Sequence, residues 1–176
     1  MAETGGAGIV LRPTRPDDID FVLALEARPD YGAFILRWSR EEHLAALDDT
    51  DRRHLMICGA AEEPLGFVLL AGLAKGGGRI ELLRIALDRP GKGTGGTALS
   101  ALAAHVFGDL GAQSLWLDVF EDNTRAQRAY RRAGFTEDRG ARPMAQRNGE
   151  ELPLVVMTLT RAAFAETEKA RAGLRR

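Results

Sequence analysis

The 176 residues, 45% of them hydrophobic and 28% charged, suffice for one ordinary domain with a tail. Lys and Arg total 24 against 25 Asp and Glu, a net charge of −1, which argues against a non-specific polyanion binder and leaves no nucleic-acid partner expected. One cysteine, Cys58, excludes an internal disulfide framework, and no apolar run or signal pattern marks a membrane or secreted protein, so a cytoplasmic chain without membrane contact is expected.

Residues 1–8 are Gly-rich and read as a flexible lead-in. Ile9 to Arg12 reads as a first strand ended by Pro13. Thr14 and Asp17 then fit a helix start, and Ile19, Val22, Leu23 and Glu26 share one face of a helix over 17–27. Ser39 and Glu42 repeat the capping pattern before a second helix carrying Leu44 and Leu47. His54 to Cys58 and Leu65 to Ala71 read as a hairpin, and Arg79 to Leu87 as a third strand of that meander. Within this last strand Ile80, Leu82, Glu81 and Arg84 cannot be sorted onto faces by simple alternation, so it is either central or a solvent-facing edge.

A long helix follows, with Leu99, Leu102, Ala103 and Val106 on one face. Ser114 to Phe120 is a strand, and Asn123 to Arg132 a helix stopped by Gly134. Strand candidates remain at Phe135 and at Leu154 to Thr160, and 161–176 reads as a helical tail with little to bury. The order predicts an α/β fold of the α+β kind, one mixed sheet over 9–160.

Gly91, Gly93, Gly95 and Gly96 lie between a strand and that long helix. Bare amides there, at the positive end of a helix dipole, make an anion cradle suited to a pyrophosphate. A Walker A loop is excluded because Gly93 follows Gly91-Lys92 and Ala86 stands where the first glycine belongs. Gly91-x-Gly93-x-x-Gly96 with Asp118 on the next strand formally meets the NAD(P) dinucleotide fingerprint. The intervening Asp88-Arg89-Pro90 and the preceding meander fit that fold badly.

Pro90-Gly91-Lys92-Gly93-Thr94-Gly95, Leu117 to Ala126, and Ala126-x-x-x-Tyr130-x-x-x-Gly134-Phe135 together resemble the GNAT superfamily of N-acetyltransferases over roughly 9–160. The resemblance implies a mostly antiparallel sheet splayed between its fourth and fifth strands, flanked by helices, with acetyl-CoA as acetyl donor and no metal. It implies that Ile85, Ala86 and Leu87 offer backbone groups to the pantetheine arm. Gly91, Lys92, Gly93, Thr94, Gly95 and Gly96 would hold the pyrophosphate, with Asn123 and Ala126 opposite. Pro90 stands where the family has Gln or Arg and offers no N–H, with Arg89 beside it as a source of charge.

The implied reaction is direct attack of an amine on the thioester. Tyr130 matches the acid that protonates the leaving thiolate, and Glu81 the position of a base. Packing beneath the helix is the alternative role for Tyr130, and a surface carboxylate that for Glu81. The acceptor site is expected from Glu26, Tyr31, Phe34 and Trp38, with the segment 142–150. These residues suit a small-molecule amine or a peptide N-terminus. A homodimer is compatible with the resemblance but not dictated by it. The competing reading is a non-catalytic CoA-binding sensor or partner-binding domain on the same fold. Cys58 and the scattered His43, His54 and His105 show neither nucleophile pairing nor metal-ligand spacing. The run Arg125, Arg128, Arg131 and Arg132 reads as a solvated face or as help with the coenzyme phosphates.

Overall fold

Ile9 and Leu11 alternate with Val10 and Arg12, and this period of two forms β1 (Ile9–Pro13), which buries both apolar side chains. The structure is a computed structural model describing residues 3–4, 8–89, 91 and 93–174. The expected contact at Lys92 and the departure at Pro90 lie outside the described residues. The chain continues through α1 (Ile19–Glu26), α2 (Arg40–Asp48), β2 (Arg52–Gly59), β3 (Pro64–Ala71) and β4 (Arg79–Leu87). Then come α3 (Thr94–Ala104), β5 (Ser114–Phe120), α4 (Thr124–Arg132) and β6 (Thr136–Asp138). β7 (Met144–Arg147), β8 (Glu150–Thr160) and α5 (Arg161–Gly173) complete it. Glu3–Thr4 adds a short strand beside β1, and Pro29–Gly32 is a single helical turn between α1 and α2.

The sheet runs β1-β2-β3-β4-β5-β8-β6, with β7 hairpinned on β8. Only β4 and β5 pair in parallel, and only where Arg79, Ile80 and Glu81 meet Ser114, Leu115 and Trp116. Beyond that point β4 stays with β3 while β5 follows β8, so the two strands part. This is the mixed sheet that the element order predicts, with the splay between its fourth and fifth strands that the resemblance implies.

A bulge explains why β4 resists a simple alternation. Leu69 pairs with Arg84 and Leu70 with Leu82, leaving Leu83 as an extra residue. The bulge switches the strand's faces. Ile80 and Leu82 before it, and Ile85 and Leu87 after it, then join the core that packs α3. Ala86 packs instead with Val22, Leu25, Met56 and Phe67 on the α1 side. β4 is a central strand, not an edge.

Two helix starts differ in detail from expectation. The entry to α1 is capped by Asp18, whose carboxylate accepts from the Arg15 amide at 2.8 Å and from Arg12 at 2.7 Å, so Asp17 does not serve. Pro16, fixed in φ, starts the turn one residue later than the Thr14 pattern implies, and Thr14 turns inward to His54. Ser39 and Glu42 do form the reciprocal cap of α2, at 2.7 and 3.2 Å. The buried face of α2, however, is His43 and Ala46, with Leu44 and Leu47 half-buried. The predicted face of α3 is buried throughout, from Leu99 to Val106. Its last turn widens into a π-helical turn at His105–Asp109. α5 buries none of its residues fully, although Phe164 lies 5.4 Å from Phe107, ring centre to ring centre.

Candidate active site

The glycine-rich turn is shorter than the sequence implies, because α3 already begins at Thr94. Gly91 and Gly93 adopt φ of 131° and 84°, backbone that favours glycine. Their carbonyls are consumed locally: the Gly91 oxygen accepts from the Thr94 amide at 3.1 Å, and the Gly93 oxygen from the Thr97 amide at 3.1 Å. Thr94 therefore has no free amide for a phosphate. Gly95 and Gly96, in the first turn, have no carbonyl of their own helix to donate to. A Cβ at Gly96 would meet open space.

Where β4 and β5 part, two cavities adjoin. The first, of about 290 Å³, lies between β4, the start of α3 and α4. It gathers Ile85, Leu87, Gly95, Asn123, Ala126 and Tyr130 from the expected site, together with Tyr31 and Phe34. Arg125 joins them from the basic run, whereas Arg128 and Arg132 are exposed and Arg131 pairs with Gln127 and Glu137. The second cavity, of about 360 Å³, shares Phe34, Ile85, Asn123 and Tyr130 and reaches toward Leu36, Asp118, Met144 and Leu154. Both volumes lie near the lower end of the ~300–1,000 Å³ usual for small-molecule sites.

Tyr130 stands on α4 at the junction of the two cavities. Its ring packs 5.6 Å from Phe135, and burial, with Tyr31 adding a smaller effect, pushes its hydroxyl above the ordinary phenol value. It is held protonated at neutral pH. Asn123 caps α4 by accepting from the Ala126 amide at 3.2 Å. Gln127, which the sequence did not single out, is buried and donates to the carbonyls of Phe120 and Glu121 at 3.2 and 2.8 Å, fixing α4 against the end of β5.

Two expected backbone contacts are not offered as predicted. Ala86 is 1% exposed on the α1 side of the sheet and lines neither cavity. The Tyr31 hydroxyl donates to the Leu87 carbonyl and accepts from the Leu87 amide, both at 2.8 Å, so the backbone of Leu87 is already occupied. Arg28 bonds the Asp88 carbonyl and lies 3.1 Å from its carboxylate, latching the same segment to the end of β4.

The carboxylates sort differently from expectation. Glu81 sits at the last parallel pair, opposite Trp116, and lines neither cavity. Asp118, two residues further along β5, lines the second cavity. Burial raises both above the ordinary carboxylate range, and for Glu81 the neighbouring Asp118 charge adds to it. Sequence reasoning tied Asp118 only to the dinucleotide fingerprint. Its signal was position: it alternates with the buried Leu117 and Val119, and so lies on the face of β5 opposite the core that packs α3.

Glu26 and Trp38 were expected at the acceptor site, and the structure corrects both. Glu26 is 1% exposed and saturated. It accepts from Arg84 at 2.8 Å, from His43 at 3.3 Å and from the Trp38 amide at 3.2 Å. Burial alone would raise its pKa, but the His43 hydrogen bond and the Arg84 charge outweigh it and hold the carboxyl below its ordinary value. Trp38 spends its ring on Arg84 and Arg52, with guanidinium carbons 4.6 and 5.0 Å from the ring centre. The network continues from His43 to His54 at 3.1 Å and on to the Thr14 hydroxyl at 2.9 Å. With Glu26 ionised and both imidazoles neutral, Thr14 donates to His54, His54 to His43, and His43 to Glu26.

This network predicts an acid limb of stability. Burial depresses His54 to about 4, against an ordinary value near 6.5. Between those values the unfolded chain binds the extra proton and the folded chain does not. Stability is therefore complete above about pH 6.5 and falls as pH drops toward 4, by a few kcal/mol. Urea unfolding at stepped pH should show this slope, and His54→Gln should flatten it.

Segment 142–150 holds the hairpin of β7 with β8, which the sequence reading left unassigned. Asn148 and Gly149, with φ of 54° and 82°, form its turn, and that Asn-Gly pair was the available signal. Arg147 pairs with Asp122 and stacks 4.6 Å from Phe120, joining the hairpin to the cleft. Among the described residues no group of His, Cys, Asp and Glu could hold a metal ion, and no helix is long and apolar enough to cross a membrane.

Comparison with known proteins agrees with this architecture. A spermidine N-acetyltransferase from Vibrio cholerae, solved in complex with CoA and spermine, superposes with a TM-score of 0.77 at 19% identity, over 89% of this chain and 98% of that one. A chimera of that enzyme with hSSAT gives 0.78 at 20% identity, over 89% and 98%. At such identities the likeness concerns the fold. The family model for the acetyltransferase (GNAT) domain matches residues 9–136, from β1 to the start of β6 and over every residue that lines the first cavity, and the chain belongs to the GNAT acetyltransferase family.

Proposed function

We propose that the protein is an N-acetyltransferase that moves the acetyl group of acetyl-CoA to a primary amine by direct attack. The observation that carries this is the junction of the cavities at Tyr130, between an amide-lined helix start and a second chamber holding a carboxylate. Gly95, in the first turn of α3, lines the first cavity and suits a pyrophosphate contact, and the apolar walls Ile85, Leu87 and Ala126 suit the arm. The CoA and spermine complex of one structural neighbour supports the same donor.

Asp118 takes the proton from the amine, with Glu81 behind it at the closed end of the cleft. The freed amine nitrogen forms a bond to the thioester carbon, the carbon–sulfur bond breaks as Tyr130 protonates the departing thiolate, and the acetylated nitrogen gives its surplus proton to solvent, from which Tyr130 regains its own. A base must be unprotonated, so the raised Asp118 carboxyl moves the acid limb of kcat/KM upward from the ordinary carboxylate range. A pH profile of the Asp118→Asn variant should lose that limb.

Calorimetry tests the donor directly. Acetyl-CoA should bind saturably at micromolar strength and NAD far more weakly, and absence of saturable acetyl-CoA binding sinks the reading. Gly95→Val places bulk against Leu87, whose Cδ1 lies 3.8 Å from a Cβ built at that glycine. Acetyl-CoA affinity should then drop about tenfold or more, roughly 1.4 kcal/mol. Binding without transfer to any amine would favour a non-catalytic CoA sensor.

A further inference from the structure

The second cavity has a composition that the proposed reaction does not use. Most of the residues that line it are apolar in type, from Leu82 and Leu83 on β4 to Pro143 and Ala145 beside β8, while polar atoms form slightly more than half of the surface they present. Leu36 and Met144, 58% and 49% exposed, both line it, and they are two of three large hydrophobic side chains left exposed among the described residues. Exposed apolar side chains gathered at one cavity mark a binding surface. Against them the lining sets one carboxylate, Asp118, and one cation, Arg84. Arg84 is already neutralised by Glu26 at 2.8 Å. Asp118 is thus the one carboxylate in this lining that can face a positive charge.

Resting on the acetyl-transfer reading, we infer that the acceptor is a singly charged amine with an apolar body, and that Leu36 and Met144 select it. A linear polyamine would set its further ammonium groups against Leu36 and Met144, where no second carboxylate lines the wall. Desolvating a charge there without a partner is costly. An aryl or alkyl body gains from the same surface. The occupant therefore differs in class from the polyamines bound by the structural neighbours.

The test compares phenethylamine, a tripeptide with an N-terminal phenylalanine, and spermidine as acceptors for the full chain. An apolar acceptor should exceed spermidine in kcat/KM by about tenfold or more. Whichever of the two apolar compounds leads tells a free amine from a peptide N-terminus. The double variant Leu36→Glu/Met144→Glu, at exposed positions outside the reacting groups, should reduce that preference at least tenfold. A spermidine preference in the unmodified protein, or a ratio unmoved in the double variant, overturns the inference. An unmoved ratio with a changed oligomeric state assigns the pair to a subunit interface instead. If no amine is acetylated, the transfer reading fails by itself. The same three compounds titrated into CoA-loaded protein then give the affinity order that upholds or refutes this inference.

Discussion

Replacing Tyr130 by phenylalanine should lower kcat by about 100-fold or more while acetyl-CoA affinity changes less than about twofold. Positioned proton transfer contributes roughly 10²–10⁴ to a rate, and Tyr130 is the hydroxyl placed where the two cavities meet. Burial keeps the phenol protonated throughout the neutral range, so it can donate but does not waste charge in the cleft. Phenylalanine keeps the contact with Phe135, 5.6 Å between ring centres, so folding is left intact and the deficit reads as chemistry. Steady-state rates beside calorimetry make the check. A rate within threefold of wild type, less than about 0.7 kcal/mol, reduces Tyr130 to a packing role.

Glu26→Leu should cost about 3–5 kcal/mol of stability, the largest loss expected from any single exchange near the site. The carboxylate is 1% exposed and holds Arg84, His43 and the Trp38 amide at once. Leucine fills the space but strands the Arg84 guanidinium, whose side chain is 9% exposed. Removing both charges is a different experiment. Glu26→Leu/Arg84→Met leaves no unpaired ion, and should recover most of the loss. Urea midpoints for the two variants decide the point. A single variant less than about 1 kcal/mol below wild type would mean that the pair contributes nothing that solvent cannot replace.

These two residues show unequal legibility. Tyr130 was readable because its motif is local: one helical stretch from Ala126 through Tyr130 to the Gly134 stop fixes its facing. Glu26 looked equally suited to a cationic substrate, since a carboxylate near aromatic residues reads the same whether open or buried. What separates them is Arg84, 58 positions away, together with His43 on another helix. Sequence neighbours carry no trace of that pairing.

The short-range features were determined by sequence alone. Apolar alternation set the strands, 3.6-residue stripes set α3, and glycine at positive φ set the turn at Gly91 and Gly93, since each depends on a backbone preference within a few residues. Only the tertiary structure decided which polar groups remain available. The extra residue Leu83 shows its bulge only through its pairing with β3. Tyr31 closes on Leu87 across 56 positions, and Asp118 reaches the cavity because β5 leaves β4. Such choices are settled by long-range pairing and burial, where a group's free energy depends on neighbours that no local pattern specifies.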